Sequence, residues 1–413
     1  MTSERRRPCL VLAALALVCG GCAPQGTRTE ERTGAPAGTT PAVTRVVHDM
    51  RGVAVEVPAA LTRVATINDG FVESVMTRLG AIRALVAVGS SAQQRAWEYS
   101  YPTGDGRSFS ITNGMGTMRA LHPWMAGLPC ASVTSGDAIN YETLAAARPQ
   151  VVVLRAGDCT VGTAPEVVAR IVDVLQAMGI PVVVIRSPTD HRGEGLHTLR
   201  REIAVLGRLF VNEREAAALA RELEDAEAEV RTRLAGITAA EAPRVLYLGL
   251  ASGARLAGGA AYVWGTDTAE SWMIERIVGA RNAYRGPGAR VLLNAEQILA
   301  LDPDVIFLPT STGYHPPREL AEAPRFRELQ RLRAVRERRV YALPWSPMNC
   351  ARRLEYPLDL LIMAKGAYPQ RFRDLAVHEW ALAFYRRTYL VDAQQALALR
   401  RAQWLDWTVE TGF

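Results

Sequence analysis

The sequence has few cysteines and histidines, and neither type is arranged to hold a metal ion. Six of each occur among 413 residues, and none of the three cysteines beyond residue 22 has the CxxC spacing of a zinc site. Four of the histidines also lie outside the loops in which we expect a ligand to bind: His48, His191, His197 and His378. A carrier of zinc or manganese needs several converging histidines and carboxylates, so this class is disfavoured, and we predict no resident cofactor.

The sequence also lacks the short motifs of common exported enzymes. It has no GxSxG nucleophile elbow, no P-loop, no HExxH zinc motif and no GxGxxG after a strand. We therefore predict a protein that is not an enzyme, with an exported enzyme acting on a chelate as the distant alternative. The formal charge of +6 is not concentrated with aromatic residues on one face, so nucleic acid is not an expected partner.

Residues 1–22 are typical of an export signal. Arginines precede an apolar run that is too short to span a bilayer, and two glycines then precede Cys22. This pattern predicts a lipoprotein in which Cys22 carries the lipid, although Cys19 stands where such sites usually have leucine. Plain secretion is the alternative. Residues 23–43 are rich in Gly, Pro, Thr and charge and predict a disordered tether, so we expect a domain anchored to the cell envelope, in the periplasm or on the outer face of the cytoplasmic membrane.

Three cysteines remain after the signal is removed. Cys130 and Cys159 each lie close to the end of a predicted strand in the same half of the chain. The exported compartment permits a disulfide between them, but free thiols remain the alternative. Cys350 is expected to stay unpaired.

The rest of the chain alternates between strand and helix patterns on either side of one long helix. Unalternated apolar runs indicate buried parallel strands, and the long helix, residues 212–236, starts with a predicted capping box of Asn212 and Glu215. We predict a hairpin over 46–57 and strands over 63–67, 84–89, 151–154, 181–185, 244–248, 305–308 and 340–343. Helices are predicted over 70–79, 165–178, 212–236, 269–277, 325–335 and 358–413. The expected domains are an N-terminal α/β lobe (44–193), a helical connection (194–236) and a C-terminal α/β lobe with extra helices (237–413).

An internal repeat links the two halves. Residues 140–154 and 294–308 each contain Asn, then Glu two residues later, then Pro, then an apolar strand, at identical spacing. A generic helix–proline–strand connection explains the proline and the strand but not the matched Asn and Glu. The repeat therefore indicates a duplication or a two-fold functional requirement.

Over residues 44–345 the chain resembles the substrate-binding proteins of ABC importers for ferric siderophores, haem and cobalamin. The resemblance is carried by residues 49–58, by 63–81, by the two repeats and by the approach to the last strand, residues 334–341. It implies two Rossmann-like lobes with central parallel sheets joined by one helix, a monomer, and a ligand in the cleft between the lobes. It also implies that Glu142 and Glu296 face basic residues of the permease. Stabilisation of their own helix N-termini is the alternative role.

The ligand is expected at loops beyond the carboxyl ends of strands. In the first lobe these are loops 68–69, 90–129 and 155–162; in the second they are 251–264, 309–317 and 344–353. Aromatic residues there suit a flat, apolar ligand, and arginine suits anionic oxygens around ferric iron. The predicted ligand-binding residues are Trp97, Tyr99, Trp124, Tyr262, Trp264, Trp345, Arg352 and Arg353. For the aromatics of loop 90–129 a small satellite core is the alternative, and for the two arginines it is a surface helix start.

The sequence does not choose between an iron chelate, haem and a corrinoid. We expect an iron complex such as a ferric siderophore. Haem or cobalamin is the alternative, and His122 and His315 are the candidate haem ligands.

Overall fold

The computed structural model describes residues 43–132, 138–158, 160–188, 197–309, 316–346 and 353–413. Within them the strands are β1 (Thr44–His48), β2 (Ala54–Pro58), β3 (Val64–Ile67), β4 (Leu85–Ala87), β5 (Trp97–Pro102), β6 (Ser108–Gly114), β7 (Val151–Ala156), β8 (Val182–Arg186), β9 (Arg244–Gly249), β10 (Ala261–Val263), β11 (Arg281–Asn282), β12 (Val291–Leu293), β13 (Val305–Leu308) and β14 (Val340–Ala342).

The α-helices of the same ranges are α1 (Phe71–Arg78), α2 (Thr117–Leu121), α3 (Tyr141–Ala147), α4 (Pro165–Ala177), α5 (His197–Leu209), α6 (Glu213–Arg233), α7 (Ser252–Leu256), α8 (Ala269–Trp272), α9 (Ala295–Leu301), α10 (Pro317–Glu322), α11 (Arg333–Arg336), α12 (Tyr356–Ala367), α13 (Val377–Tyr389), α14 (Ala393–Ala402) and α15 (Trp407–Glu410). None of these helices is both long enough and apolar enough to cross a membrane. The single helix predicted over 325–335 is instead a series of short 3₁₀ turns followed by α11.

The first sheet is parallel throughout, in the order β4-β3-β7-β8. All residues of β3 and β7 are buried, because helices and loops cover both faces of the sheet, as the unalternated apolar runs predicted. The β1–β2 hairpin docks on this sheet, where the Met50 N–H donates to the Val184 carbonyl at 3.0 Å. The fold class predicted for this half is confirmed.

The second sheet is mixed: the expected parallel strands are extended by one antiparallel strand, β10. Its order is β12-β10-β9-β13-β14, with β11 also beside β9. Strands β9, β11, β13 and β14 are parallel, but β10 runs antiparallel to both β9 and β12. The reversal follows α7 at Gly258, whose φ of +81° is a conformation that favours glycine.

The long helix is present as α6, but its predicted capping box is not. The Asn212 side chain makes no cap; its amide lies 3.3 Å from the Leu79 carbonyl oxygen as a donor. Glu215 instead accepts from Arg78 at 2.6 Å. Both side chains were predicted to cap the start of α6. In the structure they bond instead to Arg78 of α1 and to Leu79, the residue that follows it.

The internal repeat is confirmed as matched local structure. The Asn140 side chain accepts from the Thr143 N–H at 2.9 Å, and the Asn294 side chain accepts from the Gln297 N–H at 2.8 Å. Both helices, α3 and α9, then end in a left-handed residue before the proline and the buried strand.

Residues 90–129 are more ordered than the predicted loop. Strands β5 and β6 form an antiparallel hairpin, followed by α2. The hairpin reaches the second half of the chain, where the Tyr99 hydroxyl donates to Glu319 at 2.7 Å and the Tyr101 hydroxyl donates to Glu322. This hairpin is therefore a contact between the two halves.

The C-terminal helices contact both halves of the molecule. The Trp345 N–H donates to the Gln403 carbonyl at 2.9 Å, and the Met115 N–H donates to the Ala402 carbonyl at 3.0 Å. Arg78 of α1 donates to the Arg387 carbonyl of α13. Residues 43–413 accordingly pack as one compact unit.

Candidate functional site

A small polar pocket lies where the ends of β3 and β14 approach each other. Its volume is about 20 Å³, which is room for one water-sized group. Its walls come from both halves of the chain: Asp69, Gly70, Ser74, Ala92, Gln93, Gly116, Thr117, Met118, Arg119, Ser346, Arg353 and Glu355.

Asp69 supplies the carboxylate on the first-half side of this pocket. It follows β3 and is 6% exposed. Its backbone N–H donates to Asp158 at 3.0 Å, but neither of its carboxylate oxygens has a hydrogen-bond partner among the described residues. Burial raises the pKa of Asp69, while the positive charges of Arg155 and Arg353 oppose that rise.

Arg155 and Glu202 form a fully buried ion pair behind Asp69. The Arg155 Nε and Nη2 atoms lie 2.6 and 3.0 Å from the two Glu202 carboxylate oxygens. The guanidinium also lies 4.0 Å from the Phe71 ring centre and 3.9 Å from Asp69 Oδ1. Burial raises the pKa of Glu202 to about 7, and Arg155 opposes the rise. This pair holds charge beside Asp69 without donating a hydrogen bond to it.

Glu355 supplies the second carboxylate and is 2% exposed. Its Oε1 atom accepts from the Thr117 and Tyr389 hydroxyls, both at 2.5 Å. Its Oε2 atom has no hydrogen-bond partner among the described residues. Gln403 donates to the Thr117 hydroxyl at 3.0 Å and accepts from Tyr385. Side chains of the C-terminal helices therefore fix Glu355 at the pocket.

Gln93 adds an amide to the same wall. Its Nε2 atom donates to the Asn68 carbonyl at 3.0 Å, and its Oε1 atom is buried without a hydrogen-bond partner among the described residues. Asp69, Gln93 and Glu355 thus all line the pocket, and each has a buried oxygen without a hydrogen-bond partner among the described residues.

Of the predicted ligand-binding residues, Arg353 is the one described residue that lines this pocket. Trp345 is 1% exposed and packs between Trp97 and Trp404, with ring centres 6.0 and 4.7 Å away. Tyr99 is engaged by Glu319 and Arg325. Trp345 is therefore packed inside an aromatic cluster in this structure, and its role in ligand binding stays a prediction.

Trp124 and His122 pack together away from the pocket. Their ring centres are 6.0 Å apart, and the Arg83 guanidinium lies 5.1 Å from the Trp124 ring centre. His122 Nε2 lies 2.9 Å from the Thr77 hydroxyl. Burial, aided by Arg83, lowers the pKa of His122 to about 4. This nitrogen is engaged inside the first half and does not line the pocket.

Tyr262 and Trp264 lie at and just beyond β10, on the second sheet. The Trp264 ring meets Tyr247 edge-on at 5.1 Å, and the Arg290 guanidinium lies 4.9 Å from the Tyr262 ring centre. Tyr262 pairs with Gly249, the last residue of β9. Both aromatics are therefore near the carboxyl end of a strand, as predicted, but they do not line the pocket.

Glu142 and Glu296 are exposed in the first turns of α3 and α9. Helix α3 begins beside β4, because Asn140 and Val88 both bond to Ala131. Helix α9 follows β12, whose end lies level with the end of β9 across β10. Each glutamate therefore lies near the carboxyl ends of strands in its own half.

Several predicted residues lie outside the described ranges: Cys22, Cys159, His315 and Arg352. Cys130 is a free thiol whose Sγ donates to the Ser132 carbonyl at 2.9 Å. Of the two alternatives left open for Cys130, the free thiol is the one observed, and Cys159 itself lies outside the described residues. Within the described ranges, no group of three or more His, Cys, Asp or Glu side chains is arranged to hold a metal ion.

Sequence reasoning missed Gln93 and Glu355 and treated Asp69 only as part of a loop. A signal existed for Asp69, since it directly follows a buried strand. Glu355 has no local signal, because its position depends on Thr117 and Tyr389, which are distant in sequence.

The family model described as "Periplasmic binding protein" matches residues 110–347, more than half of the chain. The chain therefore belongs to this family, the class III periplasmic binding proteins of ABC importers. Arg353 and Glu355 lie beyond the matched range. No curated protein sequence matches the chain significantly.

Solved structures share this fold at low sequence identity. A periplasmic solute-binding protein from Veillonella parvula is 20% identical, with 90% of this chain and 100% of that chain covered and a TM-score of 0.65. The molybdate-binding protein of Haemophilus influenzae is 19% identical, with 84% and 98% covered and a TM-score of 0.60. A periplasmic haem-binding protein from Pseudomonas aeruginosa is 19% identical, with 75% and 93% covered and a TM-score of 0.52.

Proposed function

We propose that this chain is an exported lipoprotein, anchored through Cys22, that captures an iron complex such as a ferric siderophore and delivers it to an ABC permease. The observation that carries the proposal is the polar pocket between the two halves, with Asp69 from one side and Arg353 and Glu355 from the other. In open α/β folds, ligands bind beyond the carboxyl ends of strands. The family membership supports a role in solute transport.

The volume of the pocket bears on how the solute enters. Sites for small molecules have volumes of about 300–1,000 Å³, whereas this pocket holds about 20 Å³. A chelate of that size needs more room than this pocket offers, so in this proposal it binds after the two halves separate at the pocket. Haem is less well supported, because His122 is engaged by Thr77.

The exposed pair Glu142 and Glu296 supports the docking part of the proposal. Each lies near the carboxyl ends of strands in its own half, and a partner with two basic patches that contacts both is oriented by charge. In Glu142→Arg and Glu296→Arg variants, we expect solute affinity to be unchanged and uptake of labelled solute by cells that carry the permease to be lost. Glu166→Arg, at an exposed position in the first turn of α4, is the control.

The solute is identified by titrating the purified protein with a ferric hydroxamate, a ferric catecholate, haem and cobalamin while recording tryptophan fluorescence and absorption. Tight binding of a ferric chelate supports the proposal. A Soret band that weakens in His122→Ala would replace it with a haem carrier, and silence toward all four would contradict it.

A further inference from the structure

The end of α14 bonds to the first half of the molecule. The Ala402 carbonyl accepts from the Met115 N–H at 3.0 Å, and the Trp404 indole N–H donates to the Thr112 carbonyl at 2.8 Å. The Trp404 ring lies so close to Gly114 that a Cβ added to this glycine would be 2.5 Å from the ring. This close approach requires a glycine, and it holds the ring against the end of β6.

The same segment bonds to the second half. The Gln403 carbonyl accepts from the Trp345 N–H at 2.9 Å, and the ring centres of Trp404 and Trp345 are 4.7 Å apart. Trp345 follows β14 in the chain. Further along, the ring centre of Trp407 lies 6.2 Å from that of Tyr341 in β14. The chain therefore passes from the first half to the second between α14 and α15.

Trp404 stands at this crossing in an uncommon backbone conformation. Its φ is +51°, in the left-handed region that is unfavourable for a bulky side chain. Such a conformation persists only where the surrounding contacts fix it, and it is frequent at sites that clamp or switch. The contacts with both halves thus hold this residue against its local preference.

The crossing is connected to the polar pocket. The Gln403 side chain donates to the Thr117 hydroxyl at 3.0 Å, and that hydroxyl donates to Glu355 at 2.5 Å. Thr117, Glu355 and Ser346 all line the pocket. Under the proposed function a chelate needs more room than the pocket's volume of about 20 Å³, so the two halves separate here. Residues 402–404 then lose their bonds to one of the halves.

We propose that residues 402–404 form a latch that holds the two halves together at the pocket and restricts access to it. These residues lie beyond residue 347, where the family match ends. Because only the unlatched form admits a chelate, a weaker latch increases the fraction of competent molecules and strengthens binding. The inference rests on the proposed function in taking the pocket as the solute site, whereas the latch itself is a property of the fold.

Gly114→Ala loosens the latch without changing any of its residues. The added methyl group collides with the Trp404 ring, while the φ of Gly114 lies outside the left-handed region and suits alanine. The substitution therefore overpacks the latched form and leaves the open form unaffected. Gly127→Ala is the matched control in the same half, because nothing lies within 4 Å of a Cβ added there and its φ also suits alanine.

Hydrogen exchange of the full-length protein, followed by mass spectrometry of its peptides, measures the opening of the latch. In Gly114→Ala we expect the Met115 and Trp345 amides to exchange about tenfold faster or more, because both bond to latch carbonyls. Amides of β7 keep their protection, and Gly127→Ala exchanges like the wild type. Joint acceleration in both halves distinguishes a latch from a packing defect confined to the first half.

Acceleration at Met115 alone overturns the inference, and so does unchanged exchange at both amides. Urea unfolding shows whether Gly114→Ala is folded. If it is not, Trp404→Gly takes its place, since this change removes the ring and suits the left-handed backbone. Unchanged exchange of the Trp345 amide in Trp404→Gly likewise overturns the inference.

Equilibrium binding of ferrioxamine B, a ferric trihydroxamate, tests whether the latch restricts access. We expect Gly114→Ala to bind it about tenfold more tightly than the wild type and Gly127→Ala do. Equal or weaker binding despite faster exchange overturns the restricting role. If ferrioxamine B binds to none of the three proteins, the failure lies with the proposed solute, and the exchange result alone decides whether the latch exists.

Discussion

The two sheets end in different chemistry at the pocket. Where the first sheet ends, a buried group of charged side chains follows β3 and β7, with Asp69, Asp158 and the Arg155–Glu202 pair. Where the second sheet ends, the described residues are mainly aromatic, with Trp264 against Tyr247 and Trp345 inside its cluster. The two halves thus share a repeat but differ at their sheet ends, with buried charge after the first sheet and aromatic packing after the second.

The largest expected loss of stability comes from breaking the buried Arg155–Glu202 ion pair of the first half. In Arg155→Met, Glu202 and Asp69 keep their buried charges without the guanidinium, and we expect a loss of about 3–5 kcal/mol in the free energy of unfolding. Urea unfolding followed by circular dichroism measures it.

The double variant Arg155→Met/Glu202→Leu is the matched control. It removes the uncompensated carboxylate along with its partner, so it should be more stable than the single variant. A single variant that loses less than about 1 kcal/mol would show that the pair adds little over a hydrophobic replacement.

The aromatic side is tested by Trp345→Leu. This change removes ring contacts with Trp97 and Trp404, and we expect a loss of about 2–3 kcal/mol, below the roughly 3–5 kcal/mol of a full truncation to alanine. Trp380→Leu, at a half-buried site, should cost less. Equal losses at the two sites in urea unfolding would argue against a special role for the cluster.

The smallest expected effect concerns His122, whose lowered pKa keeps it neutral in the folded first half at pH 7. The pKa of His122 is about 4 in the folded protein against an ordinary 6.5, so the unfolded chain takes up the proton first as the pH falls. Stability is therefore lost between about pH 6.5 and pH 4. Because the ring is partly solvated, we expect His122→Gln to remove only about 1 kcal/mol of the loss at pH 4.5.

Urea unfolding at pH 7 and at pH 4.5 measures this difference. Glutamine retains a group that can bond to Thr77 but cannot titrate in this range. An identical acid loss in wild type and variant would mean that other groups, such as the buried carboxylates, account for all of it.

Structural features that depend on adjacent residues were predicted more successfully than features that depend on distant contacts. Strand β7 and the repeated helix starts at Asn140 and Asn294 were predicted, because apolar runs and caps are written in adjacent residues. The order of Trp97, Glu98, Tyr99, Ser100 and Tyr101 alternates with the period of a strand. Interpreting this stretch as a loop overlooked that period.

The pocket was harder to predict than the fold, because its groups come together from separate parts of the chain. Glu355 is oriented by Thr117, which is 238 positions away, and by Tyr389 of a C-terminal helix. Asn212 was predicted to cap α6, but its side chain donates to the Leu79 carbonyl, another contact that is distant in sequence. No pattern in neighbouring residues encodes such contacts, whereas the placement of Asp69 after a buried strand was available from the sequence.

In the described part of the chain, the two halves are joined by α6, by the β5–β6 hairpin at Glu319, and by the C-terminal helices at Gln403. Under the proposed function, a solute larger than the pocket enters after contacts on these crossings give way. Opening then becomes a step that solute concentration does not accelerate. The rate of capture should therefore level off as the solute becomes abundant, and the plateau is the opening rate of the empty protein.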